Sequence, residues 1–280
     1  MAPAYLVIGD LTSDLLPEGG SAPGGTALYA AITASRLGAR AAVLSAGTSG
    51  FLPALPTDVQ VSLVPSKFQS TFENRYTSHG RVQILHALGA RLCADDVPQA
   101  WRSAPVVHLG PLTGEFGLDL AAAFPDALVG VTPQGWMRSW DLPLPSPIRR
   151  VAWRPDPAQL RHVDVLVLSI EDVGGDEALA ASYAQHCRLV AVTRGARGST
   201  LYIGGEPHEI GGFPAEERDP TGSGDVFAAS LMLRLHETGA PLTAAAFASA
   251  VAACAVEGPG AAAVPSRAEV MARMAARTTL

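Results

Sequence analysis

Short, nearly continuous apolar runs recur along this chain, separated by helix-length or loop segments, and that rhythm limits its fold more than any other feature. The runs are "AYLVIGD" (4–10), "RAAVLSAG" (40–47), "PVVHLGP" (105–111), "DALVGVTP" (126–133), "VDVLVLS" (163–169) and "RLVAVTR" (188–194). Strands read this way when both of their faces meet an apolar layer. The pattern predicts one α/β domain over 1–280, with a mainly parallel sheet covered by helices on both faces. Between the first two runs, "TALYAAITASRLG" (26–38) places apolar residues at 28, 31 and 32 and ends on Gly38, a helix with a glycine stop. Further helices are expected near 225–238, 242–257 and 266–277.

One stretch departs from this rhythm. From 58 to 86, "DVQVSLVPSKFQSTFENRYTSHGRVQILH" alternates apolar and polar residues in three short pieces joined by turn residues. Such alternation marks antiparallel strands with one wet face. Together with residues 11–25, the segment 58–90 is expected to build a small antiparallel β lid; an extension of the sheet edge is the alternative. Exposed lid strands would also offer a surface on which two copies of the chain could pair as a homodimer.

Composition removes several classes of function. The net charge of −6 and the absence of a Lys/Arg stripe argue against nucleic acid as a partner; Lys67 is the single lysine. The start "MAPAYLVIGD" lacks the basic and long apolar regions of a secretion signal. The small-apolar run "TAAAFASAVAACAV" (243–256) is too short for a bilayer, so no membrane is expected and the cytoplasm is the expected compartment. Cys93, Cys187 and Cys254 are far apart, with no CxxC or Cys/His cluster for zinc. There is no GxxxxGK[ST], no GxGxxG after the first strand and no GxSxG.

Chemistry concentrates in "DPTGSGDVFA" (219–228). Gly222 and Gly224 let the backbone turn so that successive N–H groups point one way. The helix that follows adds its positive end, and together they suit a phosphate. Asp225 sits at the rim, where that field should keep its carboxylate ionised. Two roles are open to it on these residues alone: the N-cap of the helix, or a base that accepts a hydroxyl proton during phosphoryl transfer.

The same stretch resembles the C-terminal signature of the PfkB (ribokinase-like) family of carbohydrate kinases, and other landmarks follow in the family's order over almost the whole chain. The resemblance implies a ribokinase-like fold and transfer of the γ-phosphoryl group of ATP, with Mg²⁺, to a hydroxyl of a small sugar or polyol. It implies Asp225 as catalytic base, with Gly222, Ser223 and Gly224 as the anion hole. In "GDLTSD" it implies Asp14 as the binder of substrate hydroxyls. In "PGGTALYAA" it implies Gly24 and Gly25 as a hinge, with Tyr29 where many members carry a substrate-contacting Asn. "LSIEDV" is similar to the family's Asn-x-x-Glu and implies Ser169 and Asp172 near the metal–phosphate unit, Asp172 acting through water; Glu171 could share that role. "VTRGARGST" implies Thr193, Gly195 and Gly198 at the nucleotide phosphates, with Arg194 and Arg197 beside them, and the region 247–260 at the adenine. Members often hold a monovalent cation near the position of Asp219.

Two further stretches offer substrate-reading groups: Gln134 and Arg138 in "VTPQGWMR", which follows a central strand, and Glu73 and Arg75 in "FENRY" on the lid. With the lid, these stretches look most like plant myo-inositol kinases and bacterial relatives, which suggests a cyclic polyol. A nucleoside or vitamin-like alcohol as acceptor, and a non-catalytic nucleotide- or sugar-binding relative, are the alternatives.

Overall fold

The computed structural model describes residues 2–77 and 80–278; residues 78 and 79, inside the expected lid, lie outside the described residues. The expected strands form in the expected order. The first half contains β1 (Tyr5–Ile8), β2 (Thr12–Leu15), β3 (Ser21–Gly24), α1 (Thr26–Arg36), β4 (Ala41–Gly47), β5 (Gln60–Pro65), β6 (Thr71–Thr77), β7 (Gly80–Ala87), β8 (Val106–Leu109) and β9 (Leu128–Val131). Three two-residue strands follow: β10 (Arg138–Ser139), β11 (Ser146–Pro147) and β12 (Arg149–Arg150). The rest comprises α2 (Pro157–Leu160), β13 (Val165–Ser169), α3 (Glu177–Ser182), β14 (Leu189–Thr193), β15 (Ser199–Ile203), β16 (Glu206–Ile210), α4 (Ser223–Thr238), α5 (Pro241–Ala255) and α6 (Arg267–Thr278).

A nine-stranded sheet runs in the order β16-β15-β14-β13-β9-β8-β1-β4-β5. Every neighbouring pair from β14 to β5 is parallel; β15 and β16 add an antiparallel edge. Strand periodicity sorts the apolar runs into two layers. Tyr5 and Val7 of β1 join Leu28, Phe227, Leu231, Phe247 and Val251 beneath α1, α4 and α5. Leu6 and Ile8 join Trp101, Phe124, Leu166 and Tyr183 on the other face. Apolar runs without alternation are therefore the direct result of having two cores.

The lid is a five-stranded sheet, β11-β7-β6-β2-β3. It differs from expectation in two respects. The first of the three alternating pieces, β5, is not part of it: β5 pairs in parallel with β4, from Ala42↔Gln60 to Gly47↔Pro65. Val61 and Leu63 pack on the first core layer, so alternation here marks a half-wet edge strand of the main sheet. The lid is also not wholly antiparallel, because β2 and β6 run parallel, with Asp14 beside Phe72.

Within the first layer, a polar chain crosses the sheet. The Tyr5 hydroxyl lies 2.7 Å from His108 Nδ1, and His108 Nε2 lies 3.0 Å from Thr132 Oγ1. A neutral imidazole serves both partners, donating at one nitrogen and accepting at the other. Burial lowers the His108 pKa to about 3. In the unfolded chain it titrates near 6.5, so the stability it contributes is complete above about pH 6.5 and is lost as pH falls towards 3. Urea titrations of wild type and His108→Gln should show this. The wild-type stability is expected to fall between pH 6.5 and 4.5 by up to about 1.4 kcal/mol per pH unit more than that of the variant. Parallel pH profiles would remove His108 as the titrating group.

Candidate active site

The loops that carry the expected site residues leave the C-terminal edge of the parallel strands. Helix α4 starts at Ser223, two residues earlier than the sequence suggests, and its N-cap is Gly222 at φ 75°, ψ 0°. Asp225 therefore lies in the first helical turn and is not the cap. A left-handed glycine turns the chain into the helix without any side-chain cap. The Ser223 amide is spent on the Pro220 carbonyl at 3.1 Å, which leaves the amides of Gly222, Gly224 and Asp225 without an acceptor among the described residues. The open amides at this turn are thus those of Gly222, Gly224 and Asp225, where the sequence reading expects Gly222, Ser223 and Gly224 to form an anion hole.

Gly222 has a second reason to be glycine. Tyr29 of α1 lies flat beneath it: a Cβ at Gly222 would stand 2.2 Å from Tyr29 Cδ1. The Tyr29 hydroxyl feels the negative charges of Asp219, Asp225 and Asp14, and burial together with these charges raises its pKa to about 12. Tyr29 is buried, with its ring beneath the hole and its hydroxyl beside Gly260. Asp14 and Asp225, the two carboxylates expected to face one cleft, both lie near enough to Tyr29 for their charges to act on it.

Asp14 enters on lid strand β2. Thr12 Oγ1 donates to Asp14 Oδ1 at 3.0 Å, and Asp14 Oδ2 lies 2.6 Å from where a Cβ of Gly24 would be. Gly25, at φ 96°, joins lid strand β3 to α1, and a Cβ there would meet the Asp10 carbonyl at 2.4 Å. The diglycine is thus both a left-handed turn and a close backbone contact.

Asp225 departs from the expected electrostatics. Burial, which disfavours the charged form, raises its pKa to about 6; the Thr26 hydroxyl and Arg138 pull it down, and Asp172 pushes it up. Desolvation outweighs the field expected to keep the group fully ionised. A carboxyl with a pKa near 6 still carries its charge at pH 7 in about nine molecules of ten.

Arg138 reaches the cleft from the end of the turn after β9. Its guanidinium lies 5.9 Å from the Phe72 ring centre, and Nη1 donates to the Leu112 carbonyl at 3.4 Å. Gln134 is turned towards the donor side, where Nε2 donates to Asp172 Oδ1 at 3.4 Å. Glu73 lies on the lid face opposite Asp14, since Phe72 is the residue that pairs with Asp14. There it binds Arg75 and His86, the latter at 2.8 Å.

On the donor side, Ser169 and Thr193 are neighbours in register at the ends of β13 and β14. The Ser169 amide donates to Asp172 Oδ2 at 2.8 Å. Gly195 and Gly198 have φ of 58° and 92° and close a tight turn, the Arg194 amide donating to the Gly198 carbonyl at 2.8 Å. The Arg194 guanidinium binds Glu177 and Thr200, and Arg197 is exposed. Among the described residues no three His, Cys, Asp or Glu side chains converge on a metal site. The donor set suits Mg²⁺ carried by phosphate oxygens, with water between the ion and Asp172, better than a protein cage. Asp219, the position linked to a monovalent cation, accepts from the Thr221 and Gly260 amides at 2.9 and 2.8 Å.

Thr12, Thr26 and the Leu112 carbonyl were missed in the sequence. Thr26 alone had a signal, its place directly after the diglycine.

Residues 161–268 match the model of the pfkB family carbohydrate kinases. The chain is 27% identical to a fructokinase of Escherichia coli over 281 aligned positions, covering 85% of this chain and 86% of that protein. Among solved structures, a pyrophosphate-dependent kinase in the ribokinase family superposes with a TM-score of 0.79 at 20% identity, over 96% of this chain and 99% of the other. A pyrophosphate-dependent myo-inositol-1 kinase converted by two substitutions into a myo-inositol-3 kinase gives 0.78 at 20% identity, over 99% and 100%. Arabidopsis thaliana ribokinase with ribose and ATP gives 0.73 at 18% identity, over 98% and 99%.

The Tyr29 platform makes the two glycines of the hole unequal. Gly222→Ala forces a Cβ into the ring at positive φ and is expected to destabilise the protein by about 2 kcal/mol or more. A Cβ at Gly224 would have nothing within 4 Å, so Gly224→Ala should leave stability within about 1 kcal/mol of wild type. Chemical denaturation of both variants tests the difference; equal stabilities would contradict the packing.

Proposed function

We propose that this chain, a member of the PfkB (ribokinase-like) carbohydrate kinase family, transfers the γ-phosphoryl group of ATP to a hydroxyl of a small sugar or polyol. One observation carries the reading. The Asp225 carboxylate lies in the first turn of α4 beside the amides of Gly222 and Gly224, which have no acceptor among the described residues, and the charges of Asp225 and of Asp14 on the lid both act on Tyr29.

The acceptor binds between lid and sheet, where the Asp14 carboxylate takes hydrogen bonds from two neighbouring hydroxyls. The attacking hydroxyl points at Asp225, which accepts its proton as the oxygen–phosphorus bond forms and the bond to the leaving ADP breaks. Charge on the transferred phosphoryl group meets the open amides and the positive end of α4. Arg138 adds positive charge beside Asp225, and its stacking on Phe72 ties that charge to lid position. Bound Mg²⁺ would neutralise the donor phosphates, with Asp172 and Ser169 on its side of the cleft. Thr193, Gly195 and Gly198 would line the phosphate path. A cyclic polyol such as an inositol is the acceptor that fits the sequence pattern best, and the outer lid face with Glu73, Arg75 and His86 is the surface offered to a second subunit.

A second reading of the donor, inorganic pyrophosphate, is supported by the likeness to solved kinases described as pyrophosphate-dependent.

A phosphorylation screen of sugars, inositols and nucleosides, run with Mg²⁺ and either ATP or pyrophosphate, tests acceptor and donor together. Turnover of no alcohol with either donor would overturn the proposal. Asp225→Asn is expected to retain donor affinity and to lower kcat by about 10²–10⁴. Because the base must be ionised, kcat/KM should fall as pH drops through about 6. An unchanged kcat in the variant, or no acidic limb in the wild type, would remove Asp225 as the base.

A further inference from the structure

The lid is rooted on a buried chain of oxygens that the proposed reaction does not use. Asp10, just beyond β1, is 0% exposed, and Glu115 in the loop after β8 is 3% exposed. Ser70 Oγ lies within hydrogen-bond distance of Asp10 Oδ2, Asp10 Oδ2 lies 3.2 Å from Thr113 Oγ1, and Thr113 Oγ1 lies 3.3 Å from Glu115 Oε2. The far end of the chain is well supplied. The amides of Asp10, Leu112 and Thr113 donate to Glu115 at 3.0, 3.0 and 2.9 Å, which suits an ionised carboxylate. Ser70 Oγ accepts from the Gly89 amide at 2.9 Å, and the Ser13 amide donates to the Ser70 carbonyl at 3.0 Å. The junction thus gathers the lead-in to β6, the exit of β7 and the start of β2, the strand that carries Asp14.

Counting protons sets the charge of this chain. It has three oxygen–oxygen contacts, and the two hydroxyls supply one proton each. Two ionised carboxylates would leave one contact between oxygens with no proton to share. Asp10 Oδ1 adds a second constraint: it is buried, has no hydrogen-bond partner among the described residues and lies 3.5 Å from where a Cβ on Gly89 would be. A bare charged oxygen there would cost far more than the carbonyl oxygen of a neutral acid. We propose that Asp10 holds the third proton at neutral pH, so that hydrogen bonds run one way from Ser70 through Asp10 and Thr113 to an ionised Glu115 and lock the root of the lid to the sheet. Burial and the charge of Glu115 push the Asp10 carboxyl in the same direction, well above the usual carboxylate range. Other charged groups reach this region at one remove. Arg91 and Arg138 bind the Gly114 and Leu112 carbonyls of the same loop, and Asp14 takes the Thr12 hydroxyl. From β4 and from the lead-in to β6 come Ser45 and Gln69, both uncharged and both bonded to Leu11.

The unfolded chain releases this proton near about pH 3.9, whereas the folded chain keeps it. Stability from it is complete below that pH and is lost as pH rises towards the folded value. Relative to Asp10→Asn, a neutral isostere, the unfolding constant of wild type should therefore rise about tenfold per pH unit between about pH 5 and 7. Parallel profiles would overturn the inference. ¹³C NMR of Asp-labelled wild type needs no variant: one aspartate carboxyl should stay protonated at pH 7, where Asp225 is mostly ionised. A spectrum in which every aspartate is ionised at pH 7 overturns the inference, even if Glu115 holds the proton instead. The lock on the lid is read by hydrogen exchange in Thr113→Val and Thr113→Ser. Loss of the hydroxyl should speed exchange severalfold in β6 and β7 but not in β13 and β14, and the serine should restore the wild-type rates. If the valine variant unfolds, Ser70→Ala breaks the chain at its other end and takes its place. Exchange that is unchanged, or raised equally in both sheets of a folded variant, overturns the link to the lid. None of these readouts depends on turnover, so a failed kinase reading leaves them intact.

Discussion

The stacking of Gly222 on the Tyr29 ring is the contact on which the rest of the site depends. It sets how closely the first turns of α1 and α4 approach at the C-terminal edge of the sheet. With that approach fixed, the open amides of the α4 start and the Asp225 carboxyl lie over the first turn of α1. Any side chain at position 222 would push the two helices apart. The glycine that lets the backbone turn left-handed is thus also the one that lets the site assemble.

A second polar junction sits where the lid leaves the sheet. Asp10, just beyond β1, accepts from the hydroxyls of Ser70 and Thr113, and Glu115 accepts the amides of Asp10, Leu112 and Thr113. Burial raises the pKa of both carboxyls, and the charge of Glu115 raises that of Asp10 further, so the pair favours holding a proton. Ser70 and Thr113 come from the segments leading into β6 and following β8, so this junction fastens the lid root to the strand that introduces Asp14. Buried polar groups are tolerated at this point because nearly every one of them is paired.

Sequence reasoning succeeded wherever burial was symmetric. Runs such as "VDVLVLS" and "RLVAVTR" have one interpretation, since a strand with a core on each face needs apolar residues at every position. It misplaced β5, because an edge strand of a buried sheet and a strand of a half-wet lid both alternate; only the partner, β4, distinguishes them. Glu73 illustrates the same limit. Its position on the lid was legible, but its face depends on the register of β6 against β2, which puts Phe72 rather than Glu73 beside Asp14.

By itself the sequence determined the two-layer α/β fold, the glycine turn before α4 and the order of the motifs, because these follow from local periodicity and backbone freedom. The tertiary structure decided what each polar group meets. It moved the helix start to Ser223, spent the Ser223 amide on Pro220 and turned Gln134 to Asp172. It also decided the ionisation of the central carboxyl. Burial depends on everything packed around a residue, and around Asp225 those groups come from segments far apart in the chain.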